Sequence, residues 1–334
     1  MSDKYFIYLV LITISLLLLA LISFLIQPRY EASIKRGEVI FENIKNQLND
    51  IKEINIDNNK NKISIIKDQE KWYMISKSGY IVKNEVVRRN LIQISELRFF
   101  EKKTKEESLY SRLDLEYPND EYGNSKFITI KNSDKEILIE FILGKKKNNG
   151  VYIKKFKDKQ TWLTSGVLDM SSIEKDWLET KILDINYDDV KKISIKHVNA
   201  GDSFSLSKDE KNENLLIDNL NKEQIPKSDL IANYLGYFFT NLVFNDVAER
   251  KNTVDNKIIT KINFELFDGI KISASIFNEN KDKWINFNID SQYVLKLKNN
   301  DKIFVADIDN WSYKLPSTKY NIGGAKLNDL LVED

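Results

Sequence analysis

Few side chains in this sequence are placed to do chemistry. Its one histidine, His197, follows Lys196 at the end of the stretch DVKKISIK, residues 189–196. A metal site or a nucleophilic triad needs convergent partners, and no His-x-x-x-His or Glu-x-x-His spacing accompanies it. His197 therefore reads as a strand-end surface or packing residue. Cysteine is absent, which excludes disulfides, thiolate metal ligands and a cysteine nucleophile. Adjacent carboxylates, the raw material of general acid–base work, occur at Asp188/Asp189, Glu106/Glu107 and Asp209/Glu210. Each pair stands in a turn-like or charged context, where solvated caps and turns are expected. Lys145, Lys146 and Lys147 read as a solvated hairpin turn rather than an anion site. Gly323-Gly324 lacks the strand, glycine-rich loop and helix of a phosphate-binding loop. Trp72, Trp162, Trp177, Trp284 and Trp311 could line a glycan groove, but four of the five fall on expected strands or closing segments, so core packing is the expectation. No catalytic, cofactor-binding or metal-ligating residue is assigned.

The composition supports that restraint. The chain has 334 residues, 42% hydrophobic and 30% charged, enough for two cores. Lys+Arg 51 against Asp+Glu 50 gives a net charge of +1, without the basic surplus that nucleic-acid binding needs.

The elements come next. From Tyr5 to Ile26 the sequence YFIYLVLITISLLLLALISFLI carries no charge, long enough to cross about 30 Å of hydrocarbon as a helix. Tyr5, Phe6 and Tyr8 cluster at one end, as in an interface belt. The run is followed by Gln27, Pro28, Arg29 and Tyr30 without an A-x-A cleavage pattern. Residues 1–28 are therefore expected to be an uncleaved signal anchor. Gly37, Phe41, Ile44 and Leu48 then lie on one face of an expected juxtamembrane helix within residues 29–49.

Beyond residue 49 the period becomes two. EINID, KISII and KWYMI read as strands, and a helix follows with Val87, Leu91 and Ile94 on one face. The pattern recurs: KKISIK, DSFSLS and NLLID, then a helix opening at Pro226 and carrying Ile231, Leu235, Phe238 and Leu242 inward. Hairpins are expected at 126–143 and 261–277, the latter turning at Asp268-Gly269. The stretch 151–163 matches 293–305 as strand, turn, strand. Ser171 and Glu174 have capping-box spacing, and Trp177 and Trp311 are expected in comparable places. The fold class is accordingly α+β and strand-rich: a transmembrane helix, then two tandem, similar mixed α/β-sheet repeat units at 50–186 and 187–334.

This layout resembles the bacterial family called domain of unknown function 4340. The residues that carry the resemblance are GEVIFENIKNQLNDIKEINI, KWYMISKSGYIVKNEVV, LYSRLDLEYP, ILGKKKNNGVYIKK, TWL and DWLETKILDI. In RLDLEYP one residue is inserted before Pro118 relative to the family's Leu-Asp-x-Pro stretch. Such proteins are often encoded beside a gliding-motility-type ABC transporter and its membrane-anchored auxiliary subunit. The resemblance implies a non-enzymatic, membrane-anchored envelope protein, an accessory or scaffold component of an ABC-type transport assembly. It would be single-pass in the bacterial inner membrane, with its C-terminal domain facing the periplasm and protein partners in the transporter complex. Flanking Lys/Arg counts alone leave that orientation ambiguous. No cofactor is implied. The alternative is an extracytoplasmic glycan- or lipid-binding module or hydrolase, which would show a deep pocket with perturbed carboxylates.

Overall fold

The computed structural model describes residues 3–26, 36–118, 123–251, 257–305 and 307–333. Residues 1, 2, 27 and 28 of the expected anchor, and residues 29–35 of the expected juxtamembrane helix, lie outside this description. Helix α1 spans Asp3–Ile26, 24 residues, or about 36 Å at 1.5 Å per residue. Every α1 side chain that is described is exposed. The side chains of residues 3–6, 9, 11 and 23–26 lie outside the description, and among the described residues no helix is long and apolar enough to cross a membrane.

The first sheet takes its core from alternation. Strands β1 (Ile51–Asp57), β2 (Lys62–Asp68), β3 (Lys71–Met74) and β4 (Tyr80–Val82) turn Ile54, Ile56, Ile63, Ile65, Trp72, Met74, Tyr80 and Val82 inward. Helix α2 (Asn84–Glu96) buries Val87, Leu91 and Ile94 in the same core. Strands β5 (Arg98–Lys102), β6 (Lys126–Asn132), β7 (Ile137–Lys147), β8 (Gly150–Lys155) and β9 (Thr161–Ser165) complete nine strands, all antiparallel, in the order β4-β3-β2-β1-β6-β7-β8-β9-β5.

The second half repeats the order. Strand β10 (Lys181–Leu183) precedes β11 (Val190–His197), β12 (Phe204–Ser207), β13 (Leu216–Ile217), helix α3 (Asn233–Gly236), β14 (Leu242–Val243), β15 (Asp246–Glu249), β16 (Ile258–Leu266), β17 (Lys271–Glu279) and β18 (Asp282–Asn288). Helix α4 (Ser291–Asn299), β19 (Trp311–Lys314), α5 (Ser317–Gly323) and α6 (Leu327–Leu330) follow. The eight-stranded sheet runs β13-β12-β11-β16-β17-β18-β19-β15, and β10 pairs with β14 in a third, two-stranded sheet. With β4 set aside, the first sheet has the same connectivity strand for strand.

Four sequence expectations need correction. The described part of 29–49 is not a helix but a strap with a single 3-10 turn at Ile44–Gln47. Gly37 has φ +88, a left-handed conformation that ends any helical register. Its N–H donates to Phe99 O at 2.8 Å, and Ile40 N donates to Leu97 O at 2.9 Å. The apolar spacing reflects burial of Ile40, Phe41 and Ile44 under the sheet.

The helix expected from Pro226 shrinks to α3. Pro226 bridges to Leu331, Lys227 N donates to Leu330 O at 2.9 Å, and Leu235 N and Phe238 N donate three residues back in tight turns. Leu235, Phe238 and Leu242 are buried as expected, and Ile231 is half-buried.

The stretch 293–305 is not a hairpin. It holds most of α4, started by Asp290, whose carboxylate accepts from Gln292 N at 3.0 Å, an N-cap. Strands β18 and β19 take the places of β8 and β9. Trp311, opposite Glu249 on β15, therefore matches Trp162, opposite Lys102 on β5, and not Trp177.

The fourth correction concerns Ser171. A short 3-10 helix does form at Glu174–Asp176, but Ser171 Oγ accepts from Ile173 N at 3.1 Å and donates to Asp176 at 2.5 Å. Glu174 turns elsewhere.

Candidate functional site

Polar and aromatic side chains from both halves meet where the sheets join. Tyr80 on β4 packs edge-to-face on Phe244 and Trp311, with centroids 5.5 and 4.9 Å apart. Such geometry suits the positive ring edge against the negative face. Its hydroxyl donates to Glu179 O at 3.0 Å. Tyr313 lies against Phe244 and Phe287. Burial pushes the phenols of Tyr80 and Tyr313 up. Backbone bonds hold the segment that leads into β10 against β4: Lys83 N to Trp177 O at 2.8 Å and Glu179 N to Ile81 O at 3.2 Å.

At the rim of this joint Lys77 reaches two carboxylates, Asp246 at 2.8 Å and Glu174 at 3.1 Å. Burial works against its charge, but the bonds to Asp246 and Glu174 outweigh it and hold the ammonium pKa above its ordinary value. The cluster ties β15 to the turn before β4. Beside it lies an open cleft of about 600 Å³ lined by Ser78, Glu249, Arg250, Asp309, Asn310 and Trp311. Burial raises the Asp309 carboxyl, against one hydrogen bond from Ile289 N at 3.3 Å and the nearby Arg250 charge. Arg250 itself donates to two carbonyls, Phe287 O at 2.8 Å and Asp309 O at 3.1 Å.

A smaller apolar cluster sits apart from the main core, formed by Tyr110, Leu115, Ile142, Tyr152 and Leu163. It brings RLDLEYP against ILGKKKNNGVYIKK. A Cβ on Gly144 would fall 2.2 Å from Leu113 O, and one on Gly150 2.0 Å from Thr164 O. Both glycines are required by close backbone approach.

The residues singled out in the sequence do not converge. His197 ends β11, with Nε2 2.8 Å from Ala325 O and Nδ1 3.1 Å from Thr260 Oγ1. Asp189 pairs with Lys302 at 2.9 Å and Lys211 at 3.6 Å. Glu107 lies 3.7 Å from Lys159. The Asp209 and Glu210 amides donate to Glu213. Lys145–Lys147 end strand β7, and Lys146 pairs with Asp169. Gly323 closes α5 against Phe238. Trp72, Trp162, Trp177 and Trp311 are buried, and Trp284 is half-buried. Among the described residues no group of three His, Asp or Glu side chains could hold a metal ion. Sequence reasoning missed Lys77, Tyr80 and Asp309. The one local signal was the inward alternation of Tyr80 with Val82.

Fold and site define a strand-rich α+β protein, with three antiparallel sheets and few helices among the described residues. The sequence model of the family described as Domain of unknown function (DUF4340) matches residues 72–283, well over half of the chain, and the chain belongs to that family. The matched range runs from β3 into β18 and so includes Lys77, Tyr80, Phe244 and Asp246 of the joint, while Trp311 and Tyr313 lie beyond it. No curated protein and no solved structure matches the chain.

Proposed function

We propose that this protein is a membrane-anchored, non-enzymatic envelope component that serves as an accessory or scaffold subunit of an ABC-type transport assembly. The observation that carries the reading is α1. Its 22-residue stretch from Tyr5 to Ile26 has no charged side chain, and its described side chains are all exposed. Exposed apolar side chains on a helix call for an apolar surrounding, and a bilayer supplies one. The helix would be a single-pass signal anchor in the bacterial inner membrane, with the sheets facing the periplasm. The transport setting rests on the family resemblance.

The two sheets are read as tandem repeat units. Support comes from their shared strand order and from matching registers. Ile54 stands between Ile65 and Ile130, and Ile193 between Leu206 and Phe264. The strap before β1 also has a counterpart. Val39 bridges to Arg98 beside β5, while β10 pairs with β14 just ahead of β15. A scaffold gains from this plan because both outer faces are presented at a fixed spacing.

The test is affinity purification of the tagged full chain in mild detergent. Co-purification of a polytopic membrane protein with a nucleotide-hydrolysing subunit is expected. Recovery of the chain alone, from cells that express the transporter, would refute the reading.

One observation favours a second reading, an extracytoplasmic glycan- or lipid-binding module or hydrolase. Asp309, with its carboxyl pKa raised by burial, opens on a cleft beside Glu249 and Trp311. Perturbed carboxylates in clefts mark functional sites in many proteins. Saccharide or lipid binding that is lost in Asp309→Asn would favour this reading over the scaffold.

A further inference from the structure

We propose that the β5 edge of the first sheet, centred on Phe100, is a lipid-contact surface that seats the body on anionic headgroups. This rests on reading α1 as the anchor. Along β5 the side chains of Arg98, Phe100 and Lys102 are exposed while Phe99 is buried. A bulge between Phe99 and Glu101 leaves Phe100 out of the ladder with β9, and bulges re-aim side chains in this way. Phe100 is 40% exposed. The Arg36 guanidinium stands 4.7 Å from its ring centroid. Arg98 Nη1 donates to Gly37 O at 2.8 Å, which holds Arg36 in place.

Edge protection explains only part of this. Charged side chains and a covering strap do blunt an edge against other strands. The strap already meets β5 through Gly37 N to Phe99 O at 2.8 Å and Phe99 N to Glu38 O at 3.0 Å. Protection does not call for a large exposed aromatic that carries a guanidinium on its ring, between exposed basic residues two positions to either side. Aromatic rings and basic side chains together are what a headgroup layer accepts, because the ring tolerates both phases and the cations meet lipid phosphates.

The local charge agrees. Along the strap and β5 the sequence sets Arg36, Arg98, Lys102 and Lys103 against Glu38 and Glu101, and Glu101 is paired with Lys103. The position along the chain agrees too. Ten peptide steps separate Ile26 at the end of α1 from Arg36, a reach of at most about 36 Å. Tethering over that reach raises the effective concentration of the edge at the bilayer surface.

The absence of cysteine permits a clean test. Ser165 lies opposite Arg98 on β9, and Leu216 lies on β13 at the edge of the other sheet. The full chain carrying a fluorophore on Ser165→Cys or on Leu216→Cys is reconstituted in vesicles whose headgroups bear a nitroxide quencher. The vesicles contain either phosphatidylcholine alone or a third phosphatidylglycerol. Quenching at position 165 should exceed that at 216 by at least two-fold with the anionic lipid. It should fall to the level of 216 in phosphatidylcholine alone, and also when Arg98→Gln and Lys102→Gln are combined with Phe100→Ser. Equal quenching at the two positions in vesicles that carry the chain on flotation would overturn the proposal while leaving the anchor intact. So would quenching indifferent to the anionic lipid. A chain that fails to float with vesicles would overturn the anchor reading, and this proposal with it.

Discussion

Gly144 shows how one atom decides packing at the residue scale. A Cβ there would lie 2.2 Å from a backbone carbonyl, Leu113 O, which cannot swing away as a side chain can. Gly144→Ala should therefore destabilise by about 3 kcal/mol, seen as a lower midpoint in denaturant unfolding. Two carboxyls predict opposite responses to pH. The hydrogen bond from Lys131, at 2.6 Å, holds Glu53 below its ordinary value of 4.5 despite some burial. A depressed pKa contributes stability that is present above the unfolded value and is lost as pH falls through the folded one. Glu53→Gln should be less stable than the parent at pH 7, and the difference should vanish at strongly acid pH. Asp309 is raised above 3.8 by burial, so its ionisation opposes folding at neutral pH. Asp309→Asn should be more stable than the parent at pH 7 and equal to it below about pH 3. Unfolding midpoints across pH, with the two variants moving apart at neutrality, check both signs.

At the scale of elements, α4 is the informative case. It is short, nine residues, and such helices are marginal without tertiary packing. Two features hold it: the Asp290 cap and the fully buried Leu297. Asp290→Ala should cost about 1 kcal/mol, and Leu297→Ala about 3 kcal/mol. Helical circular dichroism of a peptide covering residues 288–301 should stay near that of a random coil. That outcome would show the helix to be a product of its site on the sheet.

The two halves share one continuous core at the scale of the molecule. Tyr80 and Trp177 belong to the same buried cluster as Phe244, Trp311 and Tyr313. Residues 36–333 should therefore unfold in one cooperative transition. Tyr80→Ala should lower the stability of the whole by about 4 kcal/mol, whereas Tyr80→Phe, which keeps the ring and loses the hydroxyl bond to Glu179 O, should cost about 1 kcal/mol. Calorimetry that resolves two transitions in the parent protein would contradict the shared core. Lys77→Ala leaves Asp246 and Glu174 facing each other without their cation, so it should weaken the joint more than Asp246→Asn, which keeps a polar partner for Lys77.

Much of this protein was legible in the residues alone. Period-two alternation marks β1, β2, β11 and β12. Asp268-Gly269 turns β16 into β17, the spacing of Val87, Leu91 and Ile94 makes the inner face of α2, and the uncharged run from Tyr5 to Ile26 writes α1. These signals are local, because each side chain reports its own face through a fixed period. The same logic misled where a local pattern suits two structures. YVLKLK alternates as a strand does, yet it is a helix, because Asp290 caps it and Leu297 finds a buried place. Gly37 to Leu48 carries helical spacing, yet its amides bond to the neighbouring backbone of Leu97 and Phe99. Tertiary structure alone decided the joint. Lys77 and Asp246 are 169 residues apart, and no period in a sequence spans such a distance. Their meeting depends on how one twisted sheet packs against another, an energy set by the whole buried surface rather than by any one stretch of chain.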